Sequence, residues 1–268
     1  MKKAIIEAKE LKKAFGKIKA VDGIDFAIMP GEIFAFLGPN GAGKSTTIKM
    51  LTTMLRPSSG KLTLNGHDVT KNQADVRKSF GIVFQDPSLD EELTAKENLE
   101  LHAALYHVPK NEQPGRINEL LKLVGLEERK DSLVRTFSGG MRRRLEIARG
   151  LMHHPKVLFL DEPTLGLDTQ TRNLLWDYVK KLSKHEGMTI FFTTHYLDEA
   201  EDVAGRIAII DHGKIVATGT SAQLAKQTKT KNLEQAYLKL TGEGIRDETS
   251  EGNNGLNMRS ALRNKSLR

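Results

Sequence analysis

The residues Gly38-Pro39-Asn40-Gly41-Ala42-Gly43-Lys44-Ser45-Thr46 match G-x-x-x-x-G-K-[ST], a pattern whose chemistry is the binding of linked phosphates. Its glycines let the backbone turn tightly enough for successive N–H groups to converge on phosphate oxygens. A helix starting where the loop ends adds roughly half a positive charge aimed at the same anion. In such a loop Lys44 reaches the terminal phosphates, and the Ser45 hydroxyl helps to hold Mg²⁺. The pattern carries this meaning between a strand and a helix. Here the apolar run 33–37 leads in as a buried strand, and 46–55 leads out as a helix. Together they imply a nucleotide-binding loop.

Three further polar features stand at predicted strand ends: Gln85 after 80–84, Asp161-Glu162 after 157–160, and His195 after 189–194. In open α/β sheets, ligands bind beyond the carboxyl ends of the strands. One sheet would therefore gather all four features around the nucleotide. Asp161, following four apolar residues, suits a buried carboxylate holding Mg²⁺ directly or through water. Glu162 would face the γ-phosphate and take a proton from attacking water. His195 can contact the γ-phosphate or serve as a structural residue at a strand end, and Gln85 alone leaves the same choice open. Ser138-Gly139-Gly140 opens a helix and is a second anion-binding design, with an N-cap hydroxyl and no Cβ to obstruct approach. One nucleotide in one fold needs one cradle. The second is either an ordinary cap or serves a nucleotide held by another copy. Phe15, upstream of the phosphate loop, can stack on an adenine face or pack as a half-buried strand aromatic.

The elements that must position these residues follow from patterning. Residues 5–31 alternate apolar and polar positions with breaks at Gly16, Gly23 and Pro30-Gly31, predicting short antiparallel strands that include 5–9 and 21–28. Residues 61–66 alternate like an edge strand ending in an Asn65-Gly66 turn. From about Asp90 to His154 the period becomes helical. Thr94-Ala95-Lys96-Glu97 is a capping box. Ile117, Leu120, Leu121 and Val124 form an amphipathic face closed by Gly125, and Leu145, Ala148, Leu151 and Met152 mark the third helix. This is an all-helical insertion between strands of an α/β core. The α/β pattern then resumes, with a helix over 174–182 and a terminal hairpin around Asp211-His212-Gly213. Beyond about Lys239 the polar, Gly-containing sequence, with its sparse basic run Arg259, Arg263, Lys265 and Arg268, predicts a disordered tail.

The chain of 268 residues suffices for one large or two small domains, and it has no cysteine, which excludes disulfides and thiolate metal sites. No window approaches the roughly 18–20 apolar residues needed to cross a bilayer, and the N-terminus lacks an apolar core of signal-peptide length. The formal charge of +7 is a scattered basic excess. Without an aromatic-interleaved basic patch, no nucleic-acid partner is expected.

Taken together, 38–46, Gln85, Phe137-Ser138-Gly139-Gly140-Met141, 158–163, Leu165-Gly166-Leu167-Asp168 and His195, in this order, resemble the ATP-binding cassette (ABC) ATPases over about residues 4–240. The resemblance implies a P-loop nucleoside-triphosphatase core with an antiparallel β subdomain and an inserted all-helical subdomain at about 88–154. The ATP-binding domain would span 1–240, with 241–268 as the tail. It implies ATP and Mg²⁺ as cofactors, with Ser45, Gln85 and Asp161 near the metal. It casts Phe15 as the adenine-stacking aromatic, Gln85 as the switch glutamine and His195 as the switch histidine. Ser138, Gly139 and Gly140 resemble the signature that closes on the opposite subunit's ATP, and Asp168 the aspartate of the loop crossing the dimer interface. A second ATPase subunit and a separate membrane permease are the implied partners, the latter docking on the helical subdomain. The implied location is the cytoplasmic face of a membrane.

Phe137 and Met141 depart from the commonest signature, Leu-Ser-Gly-Gly-Gln. That variant, with Arg142-Arg143-Arg144-Leu145 and the run 194–201, is similar to the daunorubicin-resistance-type subfamily of drug exporter ATPases. The three arginines themselves read as a solvated or acid-paired helix face in preference to a specific contact. The rivals are a soluble cassette ATPase, expected to carry two cassettes or a long coiled-coil insertion, and an importer ATPase, several types of which append a sizeable C-terminal domain. A small-molecule P-loop kinase should lack the Ser-Gly-Gly element.

Overall fold

A computed structural model describes residues 3–86 and 88–242. The chain begins with β1 (Ile6–Phe15), β2 (Ile18–Ile28), β3 (Ile33–Leu37), α1 (Lys44–Leu51), β4 (Ser59–Leu64), β5 (His67–Asp68), α2 (Gln73–Lys78) and β6 (Phe80–Val83). A helical stretch follows: α3 (Ala95–Leu105), α4 (Gln113–Leu123) and α5 (Gly139–Gly150). The remainder is β7 (Val157–Asp161), α6 (Thr169–Glu186), β8 (Thr189–Thr194), α7 (Leu197–Val203), β9 (Arg206–Asp211), β10 (Lys214–Gly219), α8 (Ser221–Thr228) and α9 (Leu233–Thr241). None of the described helices is long and apolar enough to cross a membrane. Of the segment expected to be a tail, residues 243–268 lie outside the described residues.

Two sheets organise the molecule. One is four-stranded and antiparallel, in the order β2-β1-β4-β5; the other is six-stranded, in the order β10-β9-β3-β8-β7-β6, and parallel except for β10. The parallel strands read as unbroken apolar runs because both of their faces are covered. Alternate side chains divide between two cores. Phe34, Phe36, Phe159 and Phe191 face the antiparallel sheet and α1, together with Phe26. Leu37, Leu158, Leu160 and Phe192 face the helices, in one apolar core with Leu99, Leu120 and Leu145. The helical insertion thus shares its core with the sheet. On the aromatic side, ring centroids of Phe36 and Phe191 lie 5.1 Å apart, and those of Phe159 and Phe191 5.6 Å.

Several expected boundaries move, each for a local reason. Both opening strands are longer than 5–9 and 21–28, running on to the turn at Gly16. The 61–66 strand is β4, which lies inside its sheet because the two-residue β5 occupies the edge. The first helix begins at Lys44 and stops at Leu51, ahead of the expected 55, because Thr52 Oγ1 donates back to Ile48 O and Thr53 adopts φ 62°. The 174–182 helix extends over Thr169–Glu186, capped by the Asp168 carboxylate at its start and by left-handed Gly187 at its end. The β9–β10 hairpin is not terminal: α8 starts from a Thr220–Gln223 capping box, and α9 buries Leu233, Ala236 and Tyr237.

Beside the helical insertion, the Tyr106 and His153 rings stack at 3.8 Å and His102 packs 4.7 Å from Tyr106. Burial pushes the His102 imidazole down to about 3 and that of His153 down to about 4, from an ordinary 6.5. Both are therefore neutral when folded, and unfolding lets them take up protons below pH ~6.5. Their contribution to stability is complete above pH 6.5 and is lost as pH falls toward 4. Thermal unfolding from pH 7 to 5 should show a midpoint that declines with acid, and the His102→Gln/His153→Gln pair should flatten that decline. An unchanged slope in the pair would reject this origin.

Candidate functional site

Strand register alone brings the predicted residues together. Leu37 pairs with Thr194, Asp161 with Thr193, and Val83 with Leu160. The residues that follow these positions therefore share one carboxyl edge: the phosphate loop after β3, Gln85 after β6, Glu162 after β7 and His195 after β8. A cavity of about 270 Å³ opens there. Its walls include Pro39, Asn40, Gly41, Gly43, Lys44, Ser45 and Thr46 from the loop and first helical turn, with Gln85 and Glu162 facing them.

The loop's shape depends on two glycines. Gly43 has φ 106°, and a Cβ there would lie 2.4 Å from Ala20 O; a Cβ on Gly38 would lie 2.2 Å from Ile210 O. Ala42 is buried, and its carbonyl accepts from the Gly213 N–H of the β9–β10 turn. The loop is thus held by the hairpin behind it.

Lys44 is buried, and its Nζ donates to Gly38 O at 2.7 Å and Pro39 O at 3.2 Å, with Glu162 Oε1 at 3.1 Å. Burial lowers its pKa, and the Glu162 and Asp161 charges oppose that shift. Ser45 Oγ donates to Asp161 Oδ1 at 3.2 Å, and Thr193 Oγ1 donates to the same oxygen at 2.6 Å. Burial raises the Asp161 pKa against these two hydroxyls. Glu162 has φ 45°, a strained value for a non-glycine residue, and its N–H donates to Thr193 Oγ1 at 3.0 Å. Its Oε1 also stands 3.4 Å from His195 Nδ1. Burial pushes the Glu162 carboxyl up, but His195 and the Lys44 ammonium outweigh it and hold the group below the ordinary glutamate value. At neutral pH this is a carboxylate with its charge intact, aimed at the cavity. Such an arrangement can grip phosphates and accept a proton from water beside them.

The other expected residues are placed less centrally. Phe15 is half exposed at the tip of the β1–β2 hairpin, with Lys13 Nζ 5.0 Å from its ring centroid. The hairpin itself reaches the cavity wall through Ala20. Ser138 caps α5 by accepting from Met141 N at 3.3 Å. Ser138 and Gly139 are exposed, away from that wall, and a Cβ on Gly139 would meet nothing within 4 Å, whereas one on Gly140 would meet Thr171 at 2.4 Å. Asp168 caps α6.

Two residues escaped the reading of the sequence. Thr193 ties Asp161 to the Glu162 backbone, and only the β7–β8 register reveals it. Of the expected solvated or acid-paired arginine face, the acid pairing holds for Arg143, with Glu146 at 3.0 Å, and for Arg142, with Glu91 at 2.5 Å. Arg143 is not solvated: it is 7% exposed, with Nε donating to Pro163 O at 2.7 Å, while Arg144 donates to Val124 O. The one sequence signal for Arg143 is Glu146, three residues on along an otherwise apolar helix face.

Residues 21–165 match the model of the ABC transporter family. The chain is 47% identical over 219 residues to the daunorubicin/doxorubicin resistance ATP-binding protein DrrA of Streptomyces peucetius, covering 82% of this chain and 66% of that protein. It is 44% identical over 223 residues to the linearmycin resistance ATP-binding protein LnrL of Bacillus subtilis, covering 83% and 71%. Among solved structures, a dimeric post-hydrolysis ATP-binding cassette bound to ADP and Pi matches with a TM-score of 0.72 at 28% identity, covering 80% of this chain and 98% of that one. The chain thus spans about two thirds of the length of these curated relatives.

Proposed function

The chain belongs to the ABC transporter family, and from that premise we propose that it is the ATP-hydrolysing subunit of a membrane exporter for drugs or other hydrophobic compounds. The observation that carries the hydrolytic half is the Glu162 carboxylate, charged at neutral pH and set between Lys44 and His195 at the mouth of the phosphate cradle. The export half rests on the resistance proteins to which the chain is 47% and 44% identical.

In this reading the loop N–H groups and Lys44 hold the β- and γ-phosphates. Lys44 exchanges its carbonyl partners Gly38 O and Pro39 O for phosphate oxygens. Glu162 accepts the proton of the attacking water, and His195 fixes the carboxylate's direction. The hard oxygen donors Ser45 Oγ and Asp161 Oδ1, 3.2 Å apart, with Gln85 on the same cavity wall, fit a Mg²⁺ ion. A Mg²⁺ held by them would supply neutralisation of the phosphate charge. Phe15, exposed at the hairpin tip, is free to stack on adenine once the base lies over it.

Ser138 and Gly139 are not on the wall of the chain's own cradle, and among the described residues nothing lies within 4 Å of a Cβ placed at 139. A second copy gives this turn its role: two chains related by a two-fold axis each present it to the other's ATP. Asp168 then lies at the seam. The helical part of the 1–240 domain docks on a separate permease at the cytoplasmic face of a membrane and passes on the closing and reopening of the dimer. Against a soluble cassette ATPase stand the resistance relatives.

The test is a tagged pull-down of Glu162→Gln from detergent-solubilised native membranes in the presence of ATP. A multi-span partner is the expected result. Recovery of soluble partners or ribosomes alone would leave the ATP chemistry and remove the transport role.

A further inference from the structure

Arg143 is saturated. A guanidinium has five N–H donors, and here five acceptors meet them: Nε faces Pro163 O at 2.7 Å, Nη1 faces Phe84 O and Glu146 Oε2 (the latter at 3.0 Å), and Nη2 faces Asp161 O at 3.3 Å and Glu162 O at 3.2 Å. Three of those carbonyls belong to the turn that holds Glu162 at φ 45°. The fourth, Phe84 O, immediately precedes Gln85. Glu146 completes the grip from the other side, because its Oε1 accepts from Ser88 N at 2.8 Å. Gln85 is therefore flanked by two anchors, at 84 and 88, both running to one pair of side chains on α5. The first turn of that helix is Ser138-Gly139-Gly140.

We propose that Arg143, supported by Glu146, is a positioning residue for hydrolysis, fixing the Glu162 turn and the Gln85 segment to the helix whose first turn engages the partner copy's nucleotide. The inference rests on the reading of Glu162 as the proton acceptor. A strained carboxylate turn needs surroundings that over-determine it, and a fork donating to three successive carbonyls does so. Because the fork hangs from α5, displacement of the Ser138 end is transmitted to both hydrolytic elements through these directional hydrogen bonds, in addition to the apolar packing of Leu145 and Ala148 against the sheet. Arg143 makes no contact with the phosphate loop, so its loss should spare binding.

Arg143→Lys keeps a cation for Glu146 but offers only three donors on a point charge. In the full chain, its maximal ATPase rate should fall roughly tenfold or more, as expected for sub-ångström to ångström misplacement of a catalytic group. Affinity for the non-hydrolysable β,γ-imido analogue with Mg²⁺ should stay within about threefold of the parent, against the larger loss that one displaced phosphate contact would bring. Adding Arg143→Lys to Glu162→Gln should cause no further loss. The Arg143→Met/Glu146→Leu pair removes the ion pair as a unit but leaves the carbonyls of Phe84, Asp161, Glu162 and Pro163 without their donor, so its thermal midpoint should fall while the protein, assayed below that midpoint, shows the same loss of rate. Rates within twofold of the parent for either variant, beside an inactive Glu162→Gln, would overturn the proposal alone. Affinity falling in step with rate would also overturn it, making Arg143 a structural residue. Undiminished turnover by Glu162→Gln would instead remove the reading beneath it.

Discussion

Glu162→Gln should lower ATP turnover by roughly 10²–10⁴-fold, the contribution typical of a positioned general base, while ATP still binds. Glutamine matches the shape of glutamate and can present Oε1 to Lys44 and His195 much as the carboxylate does at 3.1 and 3.4 Å. Its amide has no proton affinity to offer water. The effect should fall on the chemical step, so single-turnover hydrolysis is the proper measurement, with a filter-binding assay for retained ATP. A rate within a few-fold of the parent would take the base role from Glu162 and leave Asp161 or the phosphates themselves to receive the proton.

Lys44→Ala should act on binding. The buried ammonium is, among the described residues, the side-chain cation on the cavity wall, and its charge-assisted bonds to phosphate are worth about 3 kcal/mol together, or ~10² in dissociation constant. Its removal also leaves Glu162, held 3.1 Å away, without the ammonium that offsets its charge, so an incoming anion meets net repulsion. Calorimetric titration with ATP should show affinity reduced by about two orders of magnitude. An unchanged dissociation constant would mean that the 38–46 loop does not hold the triphosphate.

The ends of the parallel strands were legible in the sequence because each such strand is buried on both faces. Unbroken apolar runs such as 157–160 therefore stop at the carboxyl end of the strand, where Asp161 is the last residue of β7 and Glu162 the first beyond it, and the polar residues so marked share one edge. What the runs cannot carry is their order in space. That β3 lies between β8 and β9, and that Thr193 stands opposite Asp161, are properties of pairing between distant segments. For the arginines at 142–144 the acid pairing was legible for Arg142 and Arg143, and the burial of Arg143 was not. Three like charges on a helix ordinarily face water, and Arg143 is buried only because five acceptors from three segments converge on it. The short helices α7 and α8 carry few apolar residues each, and their stability comes from the body they cover. The half-exposed Phe15 is set by the reach of a hairpin whose length the alternation underestimated.

The central claim is that hydrolysis requires two copies, each completing the other's site through Ser138 and Gly139. Light scattering of Glu162→Gln with and without ATP tests it directly. Without ATP the protein should have the mass of one 29.8 kDa chain; with ATP it should have that of two chains retaining two nucleotides. Adding Gly139→Arg, whose side chain leaves the helix into open space in the monomer, should hold the mass at one chain while each chain still binds ATP. A Glu162→Gln protein that binds ATP yet stays a single chain, or a Gly139→Arg variant that still pairs, would contradict the account.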